Sequence, residues 1–214
     1  MQCITDLSKK HKEPISISFD SKEELSFEQI DQKHSISAST IQIKEQNING
    51  LFEALIACHE HIEKCLAKKQ TSFDNIQINI PLSDSFYLNI ALIKAFKRLW
   101  LALLEGHQQM TYQMPMIVAS THNTTNDMFQ QMISNTSQAI SAIVEGVDAV
   151  IVNTENTQEP ITAQRIGRNI HHILREESYL ANIVDATSGA YLLEDISQQL
   201  ITKTWQQFCT TYSS

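Results

Sequence analysis

The chain has 214 residues, 42% of them hydrophobic and 19% charged, with 24 acidic against 16 basic side chains and a net charge of −8. That composition belongs to a globule with a real core and excludes a disordered chain. The negative charge is the wrong sign for a domain that gains affinity by neutralising phosphates, so nucleic acid is excluded as a partner. The five glycines, Gly50, Gly106, Gly146, Gly167 and Gly189, are too scattered to form a dinucleotide fingerprint or a Walker loop.

On a prior of roughly 150 residues per domain, the length predicts a single domain over residues 1–214. Cys3, Cys58, Cys65 and Cys209 form no C-x-x-C pair and read as reduced thiols. Met1 to Lys12 is polar, with no apolar run behind it, and the apolar stretch around Leu99 to Leu104 is too short to span a bilayer. These features predict a cytoplasmic protein with no membrane contact.

In chain order, β-branched runs fall at Ile15–Phe19, Ser35–Ile43, Ile76–Ile80, Met116–Ser120 and Ala149–Val152, each of strand length and composition. Helical spacing of apolar residues fills Asn49–Lys68 and Phe86–Glu105. It recurs from Met128 to Val144, capped by Asn126 or Asp127 and stopped at Gly146, then from Thr162 behind Pro160, and over Glu194–Phe208. Strands alternating with helical crossovers predict parallel pairing, hence an α/β fold. About five such units are visible. A (β/α)₈ barrel needs eight, so the expectation is a partial or truncated TIM-type barrel.

The strands carry a further message. Ile15-Ser16-Ile17-Ser18 and Ile76-Gln77-Ile78-Asn79 alternate apolar with polar. If helices cover the isoleucines, Ser16, Ser18, Ser37, Ser39, Gln77, Asn79 and Ser120 line the other face, leaving a wet channel for an extended polar ligand. An antiparallel sheet with one solvated face gives the same alternation.

Among single residues, Cys58, His61, Ile62 and Cys65 share one helix face. A structural zinc needs four convergent ligands and this face offers three, so a packed cysteine face is the competing reading. His122 follows a strand end, either at the channel mouth or simply exposed. His171 and His172, between Arg168 and Arg175, read as a solvated basic face.

The C-terminal third holds Arg165-Ile166-Gly167-Arg168-Asn169, Ile173-Leu174, Glu176-Glu177-Ser178 and Asp185-Ala186-Thr187-Ser188-Gly189-Ala190-Tyr191. This run resembles the R-I-A-R-N, I-L, E-E-S and D-P-A-G-G-S-Y series of the methylmalonyl-CoA mutases. Phe86-Tyr87-Leu88-Asn89-Ile90-Ala91 through Leu99-Trp100 is similar to the family's Y-F-M-E-I-A helix ending in L-W, and Ala139-Ile140-Ser141-Ala142 and Gly146-Val147-Asp148 look like A-M-S-A and G-V-D.

The resemblance implies a barrel whose small polar residues let a CoA tail thread its axis, with adenosylcobalamin over one end. It also implies that Lys94, Lys97 and Arg98 meet CoA phosphates, the alternative being side chains lying over apolar surface with their tips in water. Departures accompany it. The G-Y-H region reads Ser37 to Gln46, H-x-x-T-S has become Val118-Ala119-Ser120-Thr121, and Ser134-Asn135 stands where the family has R-T. No D-x-H-x-x-G cobalamin motif occurs in these residues, so no cobalamin-binding domain and no cofactor on this chain alone are expected. The pattern matches the family's small, non-catalytic subunit, with a large mutase subunit or a second copy as partner. Two other readings stand beside it, an active part of a split mutase and an acyl-CoA binding module.

Overall fold

The computed structural model of the protein describes residues 39–68, 76–108, 113–122, 125, 127–154, 160–182 and 186–212. The expected strand Ile15–Phe19, residues 35–38 of the second run, and the channel residues Ser16, Ser18 and Ser37 lie outside them.

Within the described residues the elements alternate: β1 (Ser39–Gln42), α1 (Ile48–Ala67), β2 (Ile76–Pro81), α2 (Phe86–Gly106), β3 (Met116–Ser120), α3 (Met128–Val144), β4 (Ala149–Ile151) and α4 (Pro160–His172). A π turn (Ile173–Glu177) and a 3₁₀ turn (Leu180–Asn182) lead to α5 (Tyr191–Tyr212). The helix starts are chemically marked. The Asn47 carboxamide oxygen accepts from the Gly50 N–H at 2.9 Å and the Asp127 carboxylate from Phe129 N–H at 2.9 Å, while proline opens α4 where its missing N–H costs nothing. Gly146, at φ +71°, ends α3 as expected.

All three strand pairings are parallel and the order is β1-β2-β3-β4. Each strand is thus followed by a helix and then by its spatial neighbour, the repeating unit of a TIM-type barrel. The fold is α/β, with four such units among the described residues against about five read from the sequence.

Period-two geometry separates the two faces of this sheet. Along β2, Ile76, Ile78 and Ile80 are buried while Gln77, Asn79 and Pro81 are half-buried. The ladder places Ile41 and Ile78, and Ile78 and Ile117, side by side. Ile43, Ala119 and Val150 extend the same face, which forms one core with Leu51, Leu55 and Ile62 of α1 and Phe96, Leu99 and Trp100 of α2. Trp100 satisfies its buried indole N–H on the Gln113 carbonyl at 2.8 Å. Cys58, Ile62 and Cys65 belong to this core, and burial pushes the Cys58 thiol up to about 12, an inert hydrophobe.

Helix α5 packs across α2 and α1. It runs beyond the expected Glu194–Phe208 because both ends are tied down. At its C-terminal end Phe208 and Tyr212 meet His59 edge to face, at ring separations of 5.5 and 4.5 Å, and His59 Nδ1 meets His107 Nε2 at 2.9 Å. Its N-terminal turn is tied through Glu194, described below.

One close approach gives a test of packing. A Cβ on Gly167 of α4 would lie 2.4 Å from Thr154 Cγ2, whereas a Cβ on Gly106 meets nothing within 4 Å. Gly167→Ala is expected to cost about 1 kcal/mol by overpacking, a fall of roughly 2–4 °C in melting temperature. Gly106→Ala, measured in the same thermal scans, should be neutral or slightly stabilising.

Candidate functional site at the strand ends

Barrels of parallel βα units place their chemistry at the C-terminal ends of the strands. Here those ends are joined by a continuous web of side-chain amides and hydroxyls. Its hub is Asn89 in the first turns of α2, 1% exposed. The Asn89 carboxamide oxygen accepts from Ser83 N–H at 2.9 Å, Ser83 Oγ at 3.1 Å and Gln46 Nε2 at 3.2 Å. Its Nδ2 donates to the Ser83 carbonyl at 2.9 Å and to Ser141 Oγ of α3 at 3.0 Å. Gln46, beyond β1, also donates to the Pro81 carbonyl at the end of β2.

Helix α3 supplies the other half of the web. Gln138, 1% exposed, accepts from the His122 N–H at 2.8 Å and donates to Asp84 at 3.1 Å and to Ser134 Oγ at 2.8 Å. Ser134 Oγ donates to the same Asp84 oxygen at 2.7 Å. Asn135 Nδ2 donates to the Asn153 carbonyl at 2.9 Å, and Asn153 N–H to Thr121 Oγ1 at 2.8 Å, which binds the end of β4 to the end of β3. Both polar ends of the Asn89 and Gln138 carboxamides find partners inside the chain, the condition under which such a network holds one arrangement, while the buried Gln46 Oε1 is left without one.

The side of the sheet away from the helices carries Gln77 and Asn79, hydrogen-bonded to each other at 2.7 Å, and Ser120, in phase with Met116, Val118, Ala149 and Ile151, so polar and apolar side chains share that face. Ser39 departs from expectation. It pairs with Ile76 and so lies in phase with Ile41 and Ile43 on the apolar face, while Thr40 and Gln42 pair with Gln77 and Asn79. The reason is the strand's period of two, and the signal was available in Ile41-Gln42-Ile43. His122 sits just past β3 with an exposed ring, its main chain pinned by Gln138.

The three cations of α2 are taken up by acceptors of the chain itself. Lys94, 8% exposed, pairs with Glu194 at 2.5 Å, and Arg98 meets the second oxygen of that carboxylate at 2.8 Å. Lys97 donates to the Glu145 carbonyl and, at 3.1 Å, to the Gly146 carbonyl. Lys94 is therefore buried, with no tip in water, and an incoming phosphate would have to displace these acceptors. Glu176 and Glu177, in the π turn, are both exposed. His171 is half-buried beside exposed His172, and burial, with His172 second, lowers its basicity.

The strand ends of this partial barrel are thus joined by a web of amides among the described residues, and the comparison with known proteins gives the chain its family. A family model described as methylmalonyl-CoA mutase matches residues 24–212. The chain belongs to the methylmalonyl-CoA mutase family. It is 29% identical over 189 residues to the methylmalonyl-CoA mutase small subunit of Streptomyces virginiae, covering 82% of this chain and 29% of that protein. Against the small subunit of Porphyromonas gingivalis identity is 23% over 151 residues, 66% of this chain and 24% of the relative. The mitochondrial methylmalonyl-CoA mutase of Bos taurus is 23% identical over 182 residues, 78% of this chain and 24% of the relative. The chain thus spans about a quarter of the length of these mutases. Among the described residues no helix is long and apolar enough to cross a membrane.

Proposed function

We propose that the chain is a scaffold of the mutase small-subunit type, non-catalytic itself, which supports a partner carrying adenosylcobalamin-dependent acyl-CoA mutase activity in the cytoplasm. The observation that carries this reading is the use made of Ser134 and Asn135. They stand where the family resemblance has R-T, and they spend their side chains on Asp84 and on the Asn153 carbonyl. Cationic and hydrogen-bonding groups aimed at a substrate would act electrostatically on the reacting atoms. Short amides and hydroxyls turned toward the chain's own strand ends hold those ends together instead.

Adenosylcobalamin, when bound in such an enzyme, supplies the radical chemistry of a carbon-skeleton rearrangement. The strand-end residues described here do not fit as its holder. Asp84 accepts from Ser134 and Gln138, Asn135 donates to the Asn153 carbonyl, and the Asn153 N–H donates to Thr121. What these residues do is fix four strand termini in one register, giving a rigid body for a partner to rest on.

The test is reconstitution. Chain alone, large mutase subunit alone and an equimolar mixture are assayed with adenosylcobalamin and methylmalonyl-CoA. The expected result is no turnover by the chain alone and higher activity or a higher melting temperature of the large subunit in the mixture. Turnover by the chain alone would establish catalysis here, and a mixture that behaves as the sum of its parts would remove the scaffold role.

A further inference from the structure

Three helices meet at one titratable pair. His59 stands midway along α1, His107 follows the C-terminal end of α2, and the last turn of α5 brings Phe208 and Tyr212 to the His59 ring. The two imidazole nitrogens are 2.9 Å apart while the ring centroids are 5.0 Å apart, with the planes inclined by 28°. Most of the centroid separation therefore lies along the N···N line, and the rings meet end to end. That is a hydrogen bond between imidazoles, which needs one N–H and one bare nitrogen. With both rings protonated, two N–H groups and two positive charges would face each other across that gap.

The geometry accepts one proton and opposes a second. Glu63, one turn on in α1, lies 3.5 Å from His59 Nε2, so a charged His59 sits between a carboxylate and the His107 nitrogen. Glu60, the other acid of this part of α1, pairs with Lys64. Helix α5 contributes the apolar ring of Phe208 and the Tyr212 hydroxyl, which burial, then Glu60 and Glu63, keep further from ionising. The end of α2 on its own would favour a cation at His107. Burial first, and the His59 charge second, nevertheless lower the basicity of His107 below the ordinary 6.5, against an opposing pull from Glu63.

We propose that the His59–His107 pair is an acid-sensitive latch for the end of α5: one proton leaves it closed, and a second, on His107, parts the rings and releases residues 208–212 from α1. Parting the rings removes the surface on which Phe208 and Tyr212 rest. The start of α5 keeps its own anchor, Glu194 on Lys94 and Arg98, so the release is local. In the released form His107 has the ordinary value and in the latched form a lower one. The latch therefore has its full strength above about pH 6.5 and weakens as the pH falls through the interval below. It concerns how the chain holds its own last helix and is independent of the scaffold role proposed above.

Amide hydrogen exchange followed by NMR on the full chain tests the latch, read as protection factors so that the intrinsic pH dependence of exchange is divided out. From about pH 7 to about pH 5, protection at residues 208–212 should fall by up to about tenfold per pH unit, the slope of one proton taken up on opening. Residues 194–204 should keep theirs. Melting of the whole chain would not isolate the pair, because burial lowers the basicity of His61 and His171 as well. His107→Gln keeps a hydrogen-bonding side chain that cannot titrate, so its protection at 208–212 should stay flat over the same range. Should that variant misfold, the ring resonances of wild-type His59 and His107 decide: they should titrate in two separated steps, the second below the ordinary value and coincident with the loss of protection. Flat protection in the wild type, a fall shared equally by residues 194–204, an equal fall in His107→Gln, or two rings titrating together at the ordinary value overturns the inference.

Discussion

Asn89→Leu is expected to cost about 3 kcal/mol, a fall of roughly 6–12 °C in melting temperature for a chain of this size. Leucine nearly preserves the volume, so the loss is electrostatic and not a cavity. Asn89 is the point where three elements meet: Ser83 beyond β2, Gln46 beyond β1, and Ser141 of α3. Ser141 keeps its bond to the Gln138 carbonyl at 2.6 Å and Gln46 keeps the Pro81 carbonyl, so these two are partly compensated. The Ser83 N–H and carbonyl lose the bonds Asn89 gives them beside a buried apolar side chain, and each such group costs about 1–3 kcal/mol. Asn89→Asp keeps the acceptor for the three donors and loses only the donor side, so it should fall between wild type and Asn89→Leu. Urea titration gives the ordering. A loss below about 1 kcal/mol for Asn89→Leu would mean that water replaces the amide at no cost and that the web is not what fixes the strand ends.

Most of this frame was legible in the sequence. Ile76-Gln77-Ile78-Asn79-Ile80 states its own burial pattern, because a period of two in a strand sorts residues by face. The helices between the strands announced parallel pairing, since only a crossover can join parallel neighbours. The amide web was not legible. Asn89, Gln138 and Asn135 sit in helical runs where nothing in their spacing says whether a carboxamide points to water or to a main chain many residues away. That is decided by which strand end arrives opposite, a property of tertiary structure. The same holds for Lys94, read as exposed or phosphate-facing. Its stem packs as a hydrophobic face requires, and only the arrival of α5, 100 positions later in sequence, supplies the carboxylate that makes burial tolerable.

That ion pair gives the other large effect, a melting temperature several degrees lower for Glu194→Gln at neutral pH. Glu194 in the first turn of α5 is gripped from α2 by Lys94 at 2.5 Å and by Arg98 at 2.8 Å, and Lys94 adds a long contact to the Thr187 carbonyl at 3.5 Å. The hydrogen bond from Lys94, with Arg98 behind it and desolvation opposing, holds the Glu194 carboxyl below its ordinary 4.5. A carboxyl whose folded value is depressed stabilises the fold above the unfolded value, and that stabilisation disappears as pH falls through the folded one. Wild type should therefore lose its advantage over Glu194→Gln as the solution is acidified from about pH 5 downward, and the two melting curves should converge. Lys94→Met removes the same anchor but leaves an apolar side chain in an apolar place, so Lys94→Met with Glu194→Gln should melt above Glu194→Gln alone, where a buried ammonium has lost its carboxylate. Should the double variant melt lower than Glu194→Gln, or the gap between wild type and Glu194→Gln stay constant down to acid pH, the pair would not be what docks α5 onto α2.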